Sequence, residues 1–277
     1  MGVCKYCGQN AGLFSHIHKE CEQKHNAGMQ NISDTISNCL LSCGDIKTLD
    51  AGIKETAKES FIDDTALKSL LAVGFDGFVA KATDAGVISS EQEDKIHEYM
   101  QQYSLNQDVL NGGGYFMKYI KSIVLRHVMN GEIPTEIKYD SNLPFNFMKD
   151  EKLIWVQTSV EYLEQKVRTH IEGASSGISV RIAKGLYYRA GGFKGYPVQT
   201  TSLVSFGTGA LAVTNKCIYF SSNNKTFRVK YDKIIAYHPY SDAIEIDMDG
   251  AHSKPQVFKN VDGHFLYNLF INISHIQ

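Results

Sequence analysis

The first feature of the chain is an apolar stripe that begins near residue 31. Ile32, Ile36, Leu40 and Cys43 recur every three or four positions, which is typical of a helix with one buried face. Gly44 follows the stripe, and a glycine at that place commonly ends a helix. The pattern therefore predicts a helix that stops at Gly44, with Cys39 and Cys43 as small buried apolar residues.

The next ninety residues keep the helical spacing of apolar and charged positions. Helices are predicted within 45–73, over about 90–103 and over 109–129, and Ser89 or Ser90 is expected to cap the second of these together with Glu93. Two glycine-containing runs interrupt the pattern. The run Gly74–Val79 is expected to break or link two helices, and Gly112–Gly114 is expected to be a flexible joint.

From residue 136 onward the pattern changes to short runs rich in β-branched and aromatic residues, separated by turn residues. The last run, Val261–Ile276, has the spacing of an amphipathic helix. The predicted strands are 152–160, 180–183, 186–189, 210–214, 217–220, 226–231, 234–237, 243–247 and 256–258. Many antiparallel strands and one terminal helix predict an α+β protein whose C-terminal part is a β-barrel or sandwich capped by a helix.

Two details of this β-rich part are further expectations. Gly191-Gly192 is expected to form a hairpin turn between two strands. The segment Ser159–Arg181 is longer than a minimal β domain needs, so an inserted mobile loop is expected there. The whole pattern divides the chain into three predicted domains, at residues 1–30, 31–135 and 136–277.

Composition adds little that is specific. The chain has 277 residues, of which 43% are hydrophobic and 21% charged, as in ordinary folded proteins. It contains no run of 18 to 20 apolar residues and no signal-peptide pattern near Met1, so we expect no membrane span and a cytoplasmic location.

Charge is distributed unevenly along the chain. Residues 1–144 carry 13 Lys+Arg and 19 Asp+Glu, whereas residues 145–277 carry 15 and 11. The C-terminal part is therefore the better candidate for an anionic partner, such as a lipid headgroup, a nucleic acid or an acidic protein. The candidate anion-binding residues are Arg181, Lys184, Lys225, Arg228 and Lys230, and a solvated strand face is the simpler alternative.

The strongest chemical signal lies in the first 25 residues. Cys4 and Cys7 form a Cys-x-x-Cys pair, and His18 and Cys21 are spaced to lie on one side of a helix that begins near Ser15. Two thiolates on a tight turn and two donors on a helix suit the tetrahedral coordination that Zn²⁺ prefers. This arrangement resembles the treble-clef class of zinc fingers. His16 and His25 remain open alternatives to His18.

Four protein ligands would leave the metal no position for water or substrate, so the predicted Zn²⁺ is structural. The remaining chain shows no catalytic set. Gly173–Gly177 matches the letters of a Gly-x-Ser-x-Gly elbow, but the poor strand before it does not suit such an elbow. We therefore expect a protein that is not an enzyme, with no catalytic residues.

The C-terminal part resembles the pleckstrin-homology-like superfamily, especially its GRAM and bacterial branches. The resemblance is carried by the strand pair around 209–220, the basic strand 227–235, the strand 242–246 and the final amphipathic helix. It implies a module that binds phosphoinositides, peptides or its own copies. The sequence thus predicts a zinc-containing adaptor that associates with a partner protein or with itself, and nucleic-acid binding through the zinc finger and basic strands is the alternative.

Overall fold

The computed structural model describes residues 2–12, 14–134, 143–183, 186–250, 253–274 and 276, with the side chains of 167–201 outside the description. The chain divides into two compact units, Met1–Glu132 and Ile133–Gln277. Mixed helix and sheet confirm the α+β class. Helix α1, Lys19–Leu41, runs across the predicted boundary at residue 30, and the three-domain division stays a prediction.

The first unit consists of a two-stranded ribbon followed by helices. Its elements are β1 (Gly2–Val3), β2 (Asn10–Gly12), α1 (Lys19–Leu41), α2 (Ile46–Glu59), α3 (Asp64–Ala85), α4 (Ser90–Gln102), α5 (Gln107–Leu110) and α6 (Tyr115–Met129). Strands β1 and β2 pair antiparallel. The helices enclose one apolar core to which every helix of the unit contributes.

The packing of α1 against α3 forms the centre of that core. Ile32, Ile36 and Leu40 are all 0% exposed, which confirms the predicted apolar stripe at these three positions. Cys39 and Cys43, which were predicted to be buried, are half-buried. Opposite them, Gly74 brings α3 so close that a Cβ atom there would lie 2.6 Å from Cβ of Ile36. The two helix backbones can approach this closely only because residue 74 has no side chain.

This close contact explains why the prediction for Gly74–Val79 was wrong. The run lies inside α3 and does not break it. Its first glycine, Gly74, allows α3 to pack closely against α1. The chain instead breaks between α2 and α3, at residues 60–63, where Asp63 caps α3 by accepting a hydrogen bond from the Ala66 N–H at 2.8 Å. Helix α1 ends at Leu41, and Cys43 follows with a φ of 54°.

The start of α4 is close to the prediction. Ser89 is the N-cap, and it forms a capping box with Gln92, whose side chain accepts a hydrogen bond from the Ser89 N–H. Glu93, the predicted box residue, instead forms an ion pair with Arg126 of α6. The sequence therefore identifies the cap but assigns the wrong side chain to the box, since Glu93 has a tertiary partner.

The second unit consists of strands and one helix. Its elements are β3 (Leu153–Ala183), β4 (Leu186–Thr214), β5 (Cys217–Ser222), β6 (Thr226–Lys230), β7 (Ile234–Pro239), β8 (Ala243–Met248), β9 (Gln256–Lys259) and α7 (Gly263–Ile273). A 3₁₀ turn, Tyr231–Lys233, joins β6 to β7. The predicted strands from residue 210 onward and the terminal helix are thus confirmed.

All seven strands belong to one antiparallel sheet, in the order β6-β5-β4-β3-β9-β8-β7. The two ends of this order, β6 and β7, are not paired with each other in the described part of the chain. Of the predicted barrel or sandwich, the barrel is therefore wrong, because the sheet is not closed. Sequence patterns report which residues form strands, whereas closure depends on strand tilt and stagger across the whole sheet.

Two local predictions in this unit were also wrong. The segment Ser159–Arg181 is not an inserted loop, because its backbone belongs to β3 and pairs with β4. Gly191 and Gly192 are not at a turn, because they lie within β4, opposite Gly177 and Ser176. Long paired strands satisfy each other's backbone hydrogen bonds, so such a ribbon tolerates residues with weak strand propensity.

Helix α7 packs on the sheet through aromatic side chains. The rings of Trp155 on β3 and Phe265 on α7 lie 4.8 Å apart, edge to face. The ring of Phe270 lies 5.7 Å from that of Tyr237 on β7. Contacts with both β3 and β7 show that the helix covers one face of the sheet. Among the described helices of the chain, none has the length and apolarity needed to span a bilayer.

The Gly74 contact yields a prediction. We expect Gly74→Ala to destabilise the helical unit by about 1–3 kcal/mol, because its methyl group would overlap Ile36. Gly52→Ala in α2 is the matched control: a Cβ atom at residue 52 would meet nothing within 4 Å beyond its chain neighbours and the nearby backbone of its own helix, and we expect a gain of up to about 1 kcal/mol. Urea unfolding followed by circular dichroism measures both, while the fluorescence of Trp155 reports the second unit. Equal effects of the two substitutions would contradict the packing role of Gly74.

Candidate metal centre

Four side chains of the first unit converge at the start of α1. The donor atoms of Cys4, Cys7, His18 and Cys21 all lie within 4.8 Å of one another, close enough to hold a metal ion. Cys4 is 1% exposed and the other three are half-buried. This is the one such group of His, Cys, Asp or Glu side chains found among the described residues.

The backbone around Cys4 forms a tight turn that presents its donors. The Cys4 N–H donates to the Gln9 carbonyl at 2.7 Å, and the Gly8 N–H donates to the Cys4 carbonyl at 2.9 Å. Gly8 has a φ of 72°, in the left-handed region that glycine adopts without steric cost. The turn is joined to the start of α1 by a hydrogen bond of 2.9 Å from the Lys5 N–H to the His16 carbonyl.

Helix α1 supplies the other two donors. His18 is its N-cap residue and Cys21 lies in its first turn, so the two side chains point the same way. The helix begins at Lys19, four residues later than predicted. Ser15 is not its N-cap residue, and the Ser15 hydroxyl instead accepts a hydrogen bond from the Ile17 N–H at 3.2 Å, within the turn before the helix.

A hydrogen bond to the Asn10 carbonyl fixes the orientation of the His18 ring. Nε2 lies 3.0 Å from the Asn10 carbonyl, which can only accept, so Nε2 carries the proton and Nδ1 presents a lone pair to the cluster. Histidine ligands of metals are commonly held in this way by a backbone carbonyl. Nothing in the sequence around Asn10 indicates this role, since it is a main-chain atom that provides it.

The spacing of the donors suits a tetrahedral ion. His18 Nδ1 lies 3.3 Å from Cys7 Sγ and 3.7 Å from Cys21 Sγ. With Zn–S bonds of about 2.3 Å and Zn–N bonds of about 2.0 Å, the corresponding edge of a zinc tetrahedron is about 3.5 Å. Three thiols and one imidazole are also a donor set that zinc favours.

The other two histidines considered as ligands lie outside the cluster. The ring of His25 stacks on Tyr6, with centroids 4.5 Å apart, and His25 Nδ1 donates to the Ser60 carbonyl at 3.0 Å. His16 is exposed. Of the three candidate histidines, the structure therefore brings His18 together with the cysteines.

Electrostatics within the cluster differ from one donor to another. Burial raises the pKa of the Cys4 thiol, but hydrogen bonds from the N–H groups of Cys7, His18 and Tyr6 outweigh it and lower that pKa to about 6. Burial and hydrogen bonds with the other two cysteines raise the pKa of Cys21 to about 11. The Asn10 carbonyl, followed by the Cys7 side chain, raises the pKa of His18.

Three of the five predicted anion-binding side chains are among those that the structure describes, namely Lys225, Arg228 and Lys230. Lys225 pairs with Glu164 of β3 at 2.9 Å. Arg228 and Lys230 are exposed on the same face of β6. The side chain of Arg181 and the whole of Lys184 lie outside the described residues. Anion binding stays a prediction.

A scan of the sequence against protein-family models gave no match, and neither did a search of the curated proteins.

The assignment of His18 as a ligand predicts different effects on zinc affinity for replacing His18 and for replacing His16. We expect His18→Ala to weaken zinc binding by more than about 100-fold, because it removes a donor, and changes to outer-shell partners alone cost 10–100-fold. His16→Ala is the matched control and should bind zinc like the unaltered chain. Competition with a chromophoric chelator measures both affinities. If His16→Ala proved the weaker binder, the assignment of His18 would be wrong.

The raised pKa values of His18 and Cys21 predict a pH dependence. Zinc binds the deprotonated donors, so a raised pKa means that protons compete with the metal up to a higher pH. We expect affinity to fall as pH is lowered, by at least about tenfold per pH unit, the slope for one displaced proton. The same chelator competition at constant ionic strength measures this slope. An affinity independent of pH would contradict displacement of protons from this site.

Proposed function

We propose that this protein is a non-enzymatic zinc-containing adaptor that associates with another protein or with its own copies through its C-terminal β unit. The zinc part of the proposal is supported by the imidazole of His18, which the Asn10 carbonyl turns toward three cysteines. Four protein donors complete a tetrahedron and leave no position for substrate, so the proposed zinc is structural.

The C-terminal unit is proposed to be a pleckstrin-homology-like module. Seven antiparallel strands followed by one amphipathic helix support this proposal, as does the packing of that helix on the sheet through Phe265 and Phe270. The resemblance implies a binding surface and no catalysis. The cytoplasmic location remains part of the proposal.

The observation that carries the association proposal is the unpaired edge of β7. Its sequence, Ile234–Pro239, contains no lysine, arginine or carboxylate, and Ile235 is 70% exposed. The opposite edge, β6, carries the exposed charges of Arg228 and Lys230, which discourage strand pairing. An edge without exposed Lys, Arg or carboxylate side chains can accept an additional strand through its backbone N–H and C=O groups.

The geometry also limits the extent of that pairing. Pro239 has no N–H to donate, and the register with β8 shifts between Ile234 and Ala236. A partner strand would therefore form few backbone hydrogen bonds, and the exposed side chains of Ile235 and Tyr240, the latter 50% exposed, would supply apolar contact. A short pairing of this kind suits a reversible association.

Association through β7 predicts a specific effect of one substitution. We expect sedimentation of the purified chain to show a concentration-dependent dimer, and Ile235→Lys to weaken it by at least about tenfold, because the added charge opposes strand pairing. Val73→Lys is the control: Val73 is 52% exposed but lies on α3 of the other unit. A dimer that withstands Ile235→Lys would contradict the β7 edge as its interface.

The salt dependence of binding tests the alternative that the protein binds nucleic acid. Binding of DNA or RNA through phosphate contacts would fall steeply between low and high salt. If the chain stays monomeric at all concentrations and binds nucleic acid in this salt-dependent way, nucleic-acid binding becomes the better supported function and association through β7 the weaker one.

A further inference from the structure

Tyr6, one of the two residues between Cys4 and Cys7, links the metal centre to the helices. Its ring stacks on His25 of α1 with centroids 4.5 Å apart, and on Phe61 with centroids 6.1 Å apart. Phe61 lies in the connection between α2 and α3. The turn that carries two of the candidate ligands is therefore in ring contact with two separate parts of the helical unit.

Helix α1 also contacts the α2–α3 connection, at Ser60. His25 Nδ1 donates to the Ser60 carbonyl at 3.0 Å. Three residues further along α1, Gly28 lies so close that a Cβ there would be 2.2 Å from Cβ of Ser60. Phe61 has a φ of 58°, a strained value for a residue with a side chain, so neighbouring contacts must hold it in place.

The position of Tyr6 depends on the turn that carries it, and backbone hydrogen bonds, rather than burial of large apolar side chains, shape that turn. Strands β1 and β2 contain two and three residues. Two large apolar side chains of this segment face solvent, Val3 at 59% and Phe14 at 99% exposed. Without an apolar core, a segment of this kind adopts one conformation only when a metal joins its donors.

We propose that metal binding at Cys4, Cys7, His18 and Cys21 docks Tyr6 onto His25 and Phe61, so that occupancy of the metal centre controls the local stability of the α2–α3 connection. This inference rests on the proposed zinc binding. It adds that Tyr6 acts as a positioning residue, which transmits the state of the metal centre to a part of the chain that contains none of the donors.

Hydrogen exchange of the full-length protein, with and without a chelator, tests the inference. The reporting amides are those of Ser60 and Ile62, which donate to the carbonyls of Thr56 at 3.0 Å and Ala57 at 2.9 Å. We expect zinc removal to speed their exchange by about tenfold, the effect of losing a favourable aromatic contact. Amides of α7 in the other unit serve as the internal reference.

Substitutions at Tyr6 separate docking from metal binding. With zinc in excess, Tyr6→Ala should bind one zinc ion per chain, yet its Ser60 and Ile62 amides should exchange as fast as in the zinc-free protein. Tyr6→Phe should restore slow exchange, because the ring makes the contact. Phe14→Ala is the matched control, an aromatic residue of the same segment that is almost fully exposed, and it should behave like the unaltered chain.

Two results would overturn the inference while leaving the zinc site intact. One is a zinc-loaded protein whose Ser60 and Ile62 amides exchange at the same rate after zinc is removed. The other is a Tyr6→Ala protein that keeps the zinc-dependent protection. A chain that binds no zinc at any concentration would instead reject the proposed metal site itself, and the stoichiometry measurement distinguishes that failure from the first two.

Discussion

The burial of one face of α1 is the constraint on which the helical unit depends. Ile32, Ile36 and Leu40 lie against α3 without exposure to solvent, and this contact fixes both the position and the rotation of the helix. Because a helix is rigid over this length, its first turn is placed at the same time. Packing about three turns away therefore sets where His18 and Cys21 lie, and the turn that carries Cys4 and Cys7 completes the cluster.

Local signals in the sequence were sufficient for the parts of the metal centre that depend on spacing. A Cys-x-x-Cys turn and a His-x-x-Cys helix start are short-range patterns, and the structure brings those four residues together. The choice among three histidines was not local. It depends on the Asn10 carbonyl behind His18 and on Ser60 beside His25, which are 8 and 35 residues distant along the chain. Sequence spacing cannot report such partners.

The same distinction explains the outcome in the rest of the fold. Apolar periodicity identified most helices and the later strands, because the residues that bury one face of an element recur with the period of that element. Gly74 was misread as a break, since a glycine that permits close packing looks the same in sequence as one that ends a helix. Closure of the sheet was misjudged for a related reason. Whether β6 and β7 pair depends on the arrangement of all the strands between them in the sheet, so the residues of β6 and β7 do not by themselves predict closure.

The two parts of the helical unit differ in how they are stabilised, and the difference gives the proposed coupling a direction. The core of α1, α3 and their neighbours is held by apolar burial, which requires no metal. The segment before α1 exposes Val3 and Phe14 and has short strands, so in the proposed coupling its order depends on the donors and on Tyr6. Metal loss should therefore release this segment and loosen residues 60–62, while the core remains folded. The dependence runs from the metal centre to the α2–α3 connection and stops there, because beyond that point burial alone is sufficient.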